Sequence, residues 1–521
     1  MNKLTRWLKE DRRYVMFIKI ACAFLLPFAV CMLHCILKGA WLGDVSLAGS
    51  QNNDDLFYFK QVEGILEYGF PQGYFGFNES HAEHLSFAAW SPLTLIVWVI
   101  WGRIFGWSIS NYFWCNLVFH GLALAFFTWV TKPNVKQMVA AGVLLALFPG
   151  FAKYSLSCLV ETHMISWMII FYGLAVGYAK EQKNWKLTAM FLLGIFLTCI
   201  RPYLVLLILL PGIYLFMKKK LLALGVTGAA GVVGIVAYFG ISAAFTAEYF
   251  TPLFDKYLFR RFIDESFYAG ARYIAVQTLK CAGDLLTYIK LSFTEGKFMG
   301  MNYSVLFLLC AIFIVMCIFY IKDKKKEFAV LYGHFVGTAF ISVTALLVIM
   351  GKMNEGSRHI LAFIVVGLIL VSFMGNFKQI WRPVLVCALI GFLFYYYPDD
   401  GKDYQIPLRS EESVALQDAW EEIGQKIVFT EDAPSYENTV LWAFSDSING
   451  NYDHMDWHPL LALPGGTGIS CCQWEYISPN MENLQSRYIM ADKDGELVRY
   501  CDEAGYELLG EYENVRLYRR N

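Results

Sequence analysis

Charge is scarce in this chain. Only 17% of its 521 residues are Asp, Glu, Lys or Arg, against roughly 25% in a typical soluble protein. Hydrophobic residues make up 57% and the mean hydropathy is +0.43. A soluble globule cannot hide that much apolar surface, and the same composition excludes disorder, collagen and coiled coil. Net charge is also lacking, at −1, so nothing points to nucleic acid. The 13 cysteines contain no Cys-x-x-Cys pair, which weakens a zinc reading. Most of them sit in apolar runs and read as small hydrophobes: Cys22, Cys31, Cys35, Cys115, Cys158, Cys199, Cys310, Cys317 and Cys387. Cys471, Cys472 and Cys501 lie in a polar tail, where a disulfide from Cys501 to one of the pair is left open. No internal repeat is present. The segment Pro464-Gly465-Gly466-Thr467-Gly468 lacks the Lys of a phosphate loop, so nucleotide binding is discounted.

What is there is a series of apolar runs. Candidate spans are 15–37, 88–105, 112–131, 136–150, 158–179, 187–200, 202–217, 221–244, 301–321, 328–350, 358–375 and 380–397. Lys3, Arg6, Lys9, Arg12 and Arg13 precede the first, which is expected to be an uncleaved span with a cytoplasmic start. The stretch 187–217 would form a helix of roughly 46 Å, too long for a hydrocarbon core of about 30 Å. Arg201-Pro202 interrupts it, so two short helices forming a hairpin are expected, with Arg201 on the outer side. Basic inside anchors are Lys180 and Lys183 with Lys186, Lys218 to Lys220, Lys322 to Lys326, and Lys378 with Arg382. Counting crossings from these gives about 11 spans. One of the three candidates between residues 87 and 158, either 88–105 or 136–150, must then be re-entrant or misjudged. The expectation is a multi-pass cell-membrane protein with its N-terminus cytoplasmic.

The polar features gather on the outer side of that scheme. The first outer loop, 38–87, holds Asp54-Asp55-Leu56-Phe57-Tyr58. Adjacent carboxylates beside a span suit a catalytic base and a metal or substrate ligand, or simply a solvated loop. Glu79, His81, Glu83 and His84 follow within six residues; they suit a divalent metal or, more plainly, a polar cap before the next span. Tyr68, Pro71, Tyr74, Phe75 and Phe77 suit short interfacial helices. Glu161 and His163 stand at the outer end of an apolar run, where a carboxylate also suits a helix start. Arg201 lies between two apolar runs, which makes it a functional candidate. The turn 351–359 carries Lys352, Glu355, Arg358 and His359, on a side where span flanks are usually poor in cations; its Arg suits a phosphate. The loop 245–300 mixes Arg260, Arg261 and Arg272 with Phe254, Tyr257, Phe259, Phe262, Phe267 and Tyr268. That pattern suits an amphipathic helix on the membrane or the wall of a cleft for an anionic lipid head group. His120 and His334, within apolar runs, read as core histidines.

Residues 399–521 change character. They hold 24 acidic and 9 basic residues, a net of −15, and leave +14 on the rest. Short strands are expected at 426–429, 439–444, 488–490, 506–509 and 515–518, with a helix at 496–503. Two domains are therefore expected: a membrane domain, 1–398, and a soluble extracytoplasmic α/β domain, 399–521.

In order along the chain, Asp54-Asp55-Leu56-Phe57-Tyr58, Glu161, Arg201-Pro202, and Glu355 with Arg358-His359 resemble motifs of the GT-C superfamily of membrane glycosyltransferases. The similarity is to the bacterial branch of protein mannosyltransferases and aminoarabinose transferases. Arg487-Tyr488-Ile489 and Val515-Arg516-Leu517-Tyr518-Arg519 resemble the small outer domain of many relatives. The motifs span most of the chain but each is short. The family often has Asp-Glu where Asp54-Asp55 stand, and a Lys where Arg201 stands.

The resemblance implies a polytopic α-helical fold and an inverting transfer of a sugar. The donor would be a polyprenyl-phosphate sugar and the acceptor a lipid, glycan or protein, with membrane lipids as further partners. Asp54 would be the base. Asp55 and Glu161 would orient acceptor or base, or hold a divalent ion for which Asp55, His81 and His84 are the candidate ligands. Arg201 and Arg358 would neutralise the lipid phosphate, with Tyr58, Glu355 and His359 completing the substrate site. A lipid or polysaccharide transporter or flippase remains an alternative, as does a non-catalytic envelope assembly protein. The transporter reading would favour repeats and midplane polar groups, and neither is seen. The enzyme reading requires Asp54, Glu161, Arg201 and Arg358 to share one cleft beside a lipid-sized groove.

Overall fold

The computed structural model describes residues 12–50, 53–68, 75–79, 91–245, 264–294, 299–350, 358–373, 385, 389, 406–428, 438–444, 458–465 and 467–521. Its membrane body is helical. Helix α1 (Arg12–Leu37) leads into α2 (Asn53–Tyr68), whose first turn carries Asp54 and Asp55, where the helix dipole favours them. A short strand, β1 (Phe75–Phe77), follows. Next come α3 (Ile96–Phe105), α4 (Tyr112–Thr131), α5 (Val135–Ala146), α6 (Pro149–Ser155), α7 (Glu161–Glu181) and α8 (Asn184–Ile200). A 3-10 segment, Pro202–Ile208, leads to α9 (Leu209–Phe216) and α10 (Lys220–Phe245). Then come α11 (Phe267–Thr294), α12 (Met299–Lys322), α13 (Lys326–Met350) and α14 (Leu361–Ser372).

Among the described residues, α1, α4, α7, α10, α12 and α13 contain stretches long and apolar enough to cross a membrane. Helices α5 and α6 form an apolar pair bent by 75° at their junction. Pro149 starts α6 with its nitrogen already outside any hydrogen-bond ladder. Shorter apolar helices are 92–105, 184–200, 202–216 and 361–372.

Local chemistry sets the helix ends. Asn134 and Gln137 form a reciprocal capping box at the start of α5. Lys132 and Gln182 close α4 and α7 in the left-handed region, both at φ 49°. Gly121 lets α1 lie against α4, because a Cβ there would stand 2.6 Å from the Phe24 carbonyl oxygen.

The basic residues collect at one end of these helices. Lys132, Lys183 and Lys186 surround Glu181 at 2.7, 3.2 and 3.0 Å. Gln182 donates to Glu327 at 2.7 Å, which brings the start of α13 to the same end. Lys186 donates to the Gly177 carbonyl, and the Lys218 ammonium sits over the Tyr178 ring. Both legs of 184–217 thus return to this end, as the expected hairpin requires. The break falls at Arg201, whose backbone is extended (φ −138°) before Pro202.

The candidate span 88–105 turns out to be α3 with a preceding 3-10 turn. Ten residues of helix rise about 15 Å, and both flanks stay at the end opposite Glu181. The Thr94 carbonyl faces His163 at 3.5 Å, while Trp107 donates to the Phe59 carbonyl and Leu47 to that of Ile109. The segment's 14 residues, 92–105, form one of the shorter apolar helices. His120 and His334 are core histidines: His120 bonds Ser166 and Thr162, and His334 bonds the Leu206 carbonyl and Thr338.

The tail contributes α15 (Glu411–Gly424), β2 (Thr439–Phe444), β3 (Gly468–Gln473), α16 (Trp474–Asn480), β4 (Tyr488–Asp492), α17 (Glu496–Glu503), β5 (Glu507–Tyr512) and β6 (Val515–Arg519). The sheet order is β1-β3-β2-β4-β6-β5. Its first three pairings are parallel and its last two antiparallel. Strand β1 belongs to the first outer loop, so this sheet is built from both ends of the sequence. Residues 426–428 form no strand. The Tyr488 hydroxyl accepts from the Val428 amide and donates to its carbonyl, both at 2.9 Å, in place of a ladder. Cys471, Cys472 and Cys501 are buried, and no disulfide joins Cys501 to either of the pair. Tyr68 ends α2, and Phe75 and Phe77 form β1 where a short helix was expected. Pro71 and Tyr74 lie outside the described residues.

Candidate active site

The cluster forms where four elements end. Helix α2 starts there, α7 starts there, α8 stops there at Pro202, and Arg358-His359 stand just before α14. Each supplies one or two polar side chains because a helix terminus is where a chain can leave the apolar body.

Arg201 is the centre. It is 1% exposed, and its Nη2 donates to Glu161 Oε1 at 2.7 Å. Its Nη1 lies 3.4 Å from the Tyr203 hydroxyl and 3.2 Å from His359 Nδ1. His359 Nδ1 is also 3.1 Å from Glu161 Oε1. The ring therefore serves in either protonation state: with a proton on Nδ1 it donates to Glu161, and without one it accepts from Arg201. Among the described residues Glu161 Oε2 and Arg358 Nε are buried with no hydrogen-bond partner. They are acceptor and donor capacity left inside the cluster.

Asp54 and Asp55 are neighbours on a helix, so their side chains diverge by about 100°. Asp54 turns to Arg358 and pairs with its Nη1. Asp55 turns the other way, into the protein. Its Oδ1 accepts from the Cys158 amide at 2.8 Å and its Oδ2 from the Ser50 hydroxyl. Burial pushes the Asp55 carboxyl up to about 7, against the lowering effect of the Ser50 bond. Tyr58, one turn along from Asp54, is buried close enough to Glu161, Asp54, Arg358 and Arg201 to feel all four charges. Burial pushes its hydroxyl well above the ordinary range.

Asp54, Asp55, Tyr58, Glu161, Arg201, Arg358 and His359 thus occupy one region although they span 305 positions of the chain. Glu355, His81 and His84 lie outside the described residues, as do Arg260 and Arg261. Arg272 is exposed on α11, and His163 packs on the Trp98 ring at 4.3 Å. Glu79, left open between a metal ligand and a polar cap, has a different place. Its carboxylate accepts the Gln485 amide at 2.9 and 3.0 Å and the Ser486 amide at 2.7 Å, so it anchors the tail. Among the described residues no three His, Cys, Asp or Glu side chains converge as a metal-ligating set. Both oxygens of Asp55 are already engaged.

An apolar cavity of about 450 Å³ is lined by residues of α1, α4, α5 and α14, among them Ala23, Leu124, Ala141 and Ile369. None of the cluster's side chains borders it, so it is not the lipid groove expected beside them. Sequence reading missed Ser50, Tyr203 and the Cys158 amide. The first is an ordinary loop serine. The last is a backbone group, which leaves no residue signature.

No family model and no curated protein matches the sequence. Solved structures do. ArnT from Cupriavidus metallidurans, bound to undecaprenyl phosphate, is similar over 98% of this chain and 98% of its own, at 11% identity and a TM-score of 0.50. The Archaeoglobus fulgidus oligosaccharyltransferase in the apo form aligns over 94% of this chain and 70% of its own, at 12% identity and a TM-score of 0.49. The chain has the fold of ArnT, the GT-C fold that its sequence motifs resemble.

Proposed function

We propose that this protein is a membrane glycosyltransferase that moves a sugar from a polyprenyl-phosphate donor to an acceptor hydroxyl with inversion. The observation that carries the reading is the shared cluster: two arginines face two carboxylates contributed by distant segments. Asp54 acts as general base and takes the acceptor proton. The acceptor oxygen attacks the anomeric carbon from the face opposite the phosphate. The bond from that carbon to the phosphate oxygen breaks, and its electron pair leaves on the polyprenyl phosphate. Arg201 and Arg358 are fixed charges for that leaving group. Glu161 holds Arg201 and offers Oε2 to the acceptor or sugar. Asp55, with both oxygens committed, positions the loop before Glu161.

Arg201 is paired with Glu161 and Arg358 with Asp54. Residues 81–84 are the remaining candidates for a divalent ion. Activity with and without a chelator tests them. The lysines around Glu181 support a sidedness in which that end faces the cytoplasm, as basic ends usually do, with the cluster and the tail on the outer side. The acceptor is a lipid, glycan or protein presented on that face. The membrane body, 1–398, carries the chemistry, and 399–521 forms the outer domain. The similarity to a structure bound to undecaprenyl phosphate supports the donor class.

The test is transfer of sugar from a polyprenyl-phosphate donor by Asp54→Asn. We expect kcat to fall by about 10²- to 10⁴-fold, the usual share of a general base. Turnover within threefold of wild type would remove Asp54 from the mechanism.

A further inference from the structure

The acidic pair is held from outside the membrane body. The tail carries a 3-10 turn, His458–Ala462, packed on α15 and on α2. His458 Nε2 lies 2.6 Å from the Ser50 carbonyl oxygen. A carbonyl only accepts, so Nε2 carries the proton and donates. The Ser50 hydroxyl in turn donates to Asp55 Oδ2, and Asp55 Oδ1 takes the Cys158 amide three residues before Glu161. At the far end of the same turn, the Leu463 carbonyl accepts from Lys60 Nζ at 2.7 Å. Lys60 is buried and also pairs with Glu63 at 2.7 Å. The tail therefore grips the chain on both sides of Asp54, before α2 at Ser50 and within α2 at Lys60. The loop and the tail are in close approach here: a Cβ on Gly49 would overlap the Leu408 carbonyl, and Val45 bridges Leu408.

We propose that the tail segment 458–463 is a positioning element of the reacting cluster, acting through His458–Ser50–Asp55 and Leu463–Lys60. It rests on the glycosyltransferase reading above. Two adjacent carboxylates at a helix start differ by about 100° of rotation about the helix axis, so the rotation of α2 decides which of them meets Arg358. Fixing Asp55 from behind leaves only Asp54 facing Arg358. His458 belongs to the tail and meets the cluster through the Ser50 carbonyl, so it is a positioning residue.

The experiment compares His458→Phe, His458→Gln and Lys60→Met with Asp54→Asn in the full-length protein. His458→Phe keeps ring bulk but cannot donate. We expect kcat per folded molecule to fall by about tenfold, roughly one lost hydrogen bond, with donor KM within twofold. His458→Gln, which restores an N–H donor, should recover most of it. Lys60→Met should lower kcat in the same way. Backbone amide exchange at 155–160 should quicken in His458→Phe, because Asp55 then holds the Cys158 amide less firmly. Unchanged kcat and unchanged exchange at 155–160 in His458→Phe would overturn the proposal while leaving the mechanism intact. If Asp54→Asn is also active, the catalytic reading fails first. A loss that His458→Gln does not rescue, with exchange rising across the whole tail, would mark a purely structural role and overturn it too.

Discussion

Two arginines hold two carboxylates in one cluster, and burial separates them. Arg201 and Glu161 are 1% and 4% exposed; Arg358 and Asp54 are 23% and 26% exposed. The first pair has no water to fall back on. The second can exchange partners with a substrate. In the proposed mechanism the buried pair therefore builds the site, and the half-buried pair operates it. Breaking the buried pair should have the largest effect on the fold. Arg201→Met leaves Glu161 charged with only the His359 ring beside it, a loss of about 3–5 kcal/mol for such sites. Thermal unfolding in detergent should show it as a clear drop in midpoint. Removing both charges, Arg201→Met with Glu161→Gln, should return much of that stability and none of the activity. An Arg201→Met protein as stable as wild type would mean that the pair is more hydrated than its burial implies.

Asp55 gives an intermediate effect and a pH signature. Its carboxyl stands near 7 in the folded protein against an ordinary 3.8. The unfolded chain therefore releases this proton between about pH 4 and 7 while the folded one keeps it. Stability falls as pH rises through that window and levels off above it. In Asp55→Asn that slope should flatten, by on the order of 1–4 kcal/mol across the window. Unfolding midpoints at pH 4.5 and 7.5 in both proteins are the measurement. Equal slopes would show that Asp55 is ionised as readily as an exposed acid.

The same division explains what the sequence made legible. Apolar runs and basic ends mark the membrane body, because lipid allows little else. Pro202 marks the hairpin break, because its missing N–H is a local constraint. Charged residues in apolar company, Glu161 and Arg201 above all, stand out for the same reason. What was not legible depends on distance. Asp54 and Asp55 look equivalent as letters and diverge only because helical geometry sends one to Arg358 and the other to Ser50. Glu79 looks like a metal ligand beside His81 and becomes an anchor because Gln485 and Ser486, some 400 residues away, present their amides. Strand β3 carries Cys471 and Cys472 and follows a glycine-rich turn, so its pairing with β1 has no local signal. Residues 426–428 read as a strand by composition, but a tyrosine hydroxyl took the backbone bonds.

The half-buried pair should show the smallest structural effect and the sharpest functional one. Arg358→Gln removes a charge that is still in contact with water. Such pairs contribute about 0–1 kcal/mol, so the unfolding midpoint should hardly move. Binding should respond differently. Arg358 is occupied by Asp54, and in the proposed mechanism a donor phosphate competes for the same guanidinium. Phosphate binding and release of the base are then one event, and the base is freed only when a donor is present. Losing a charge-assisted bond of roughly 1.5–3 kcal/mol should raise the dissociation constant for a polyprenyl phosphate by about 10- to 100-fold. Asp54→Asn should do the reverse and tighten phosphate binding, because it removes the competitor. Arg358→Gln binding the phosphate as tightly as wild type would separate this arginine from the donor and leave Arg201 as the cation for the leaving group.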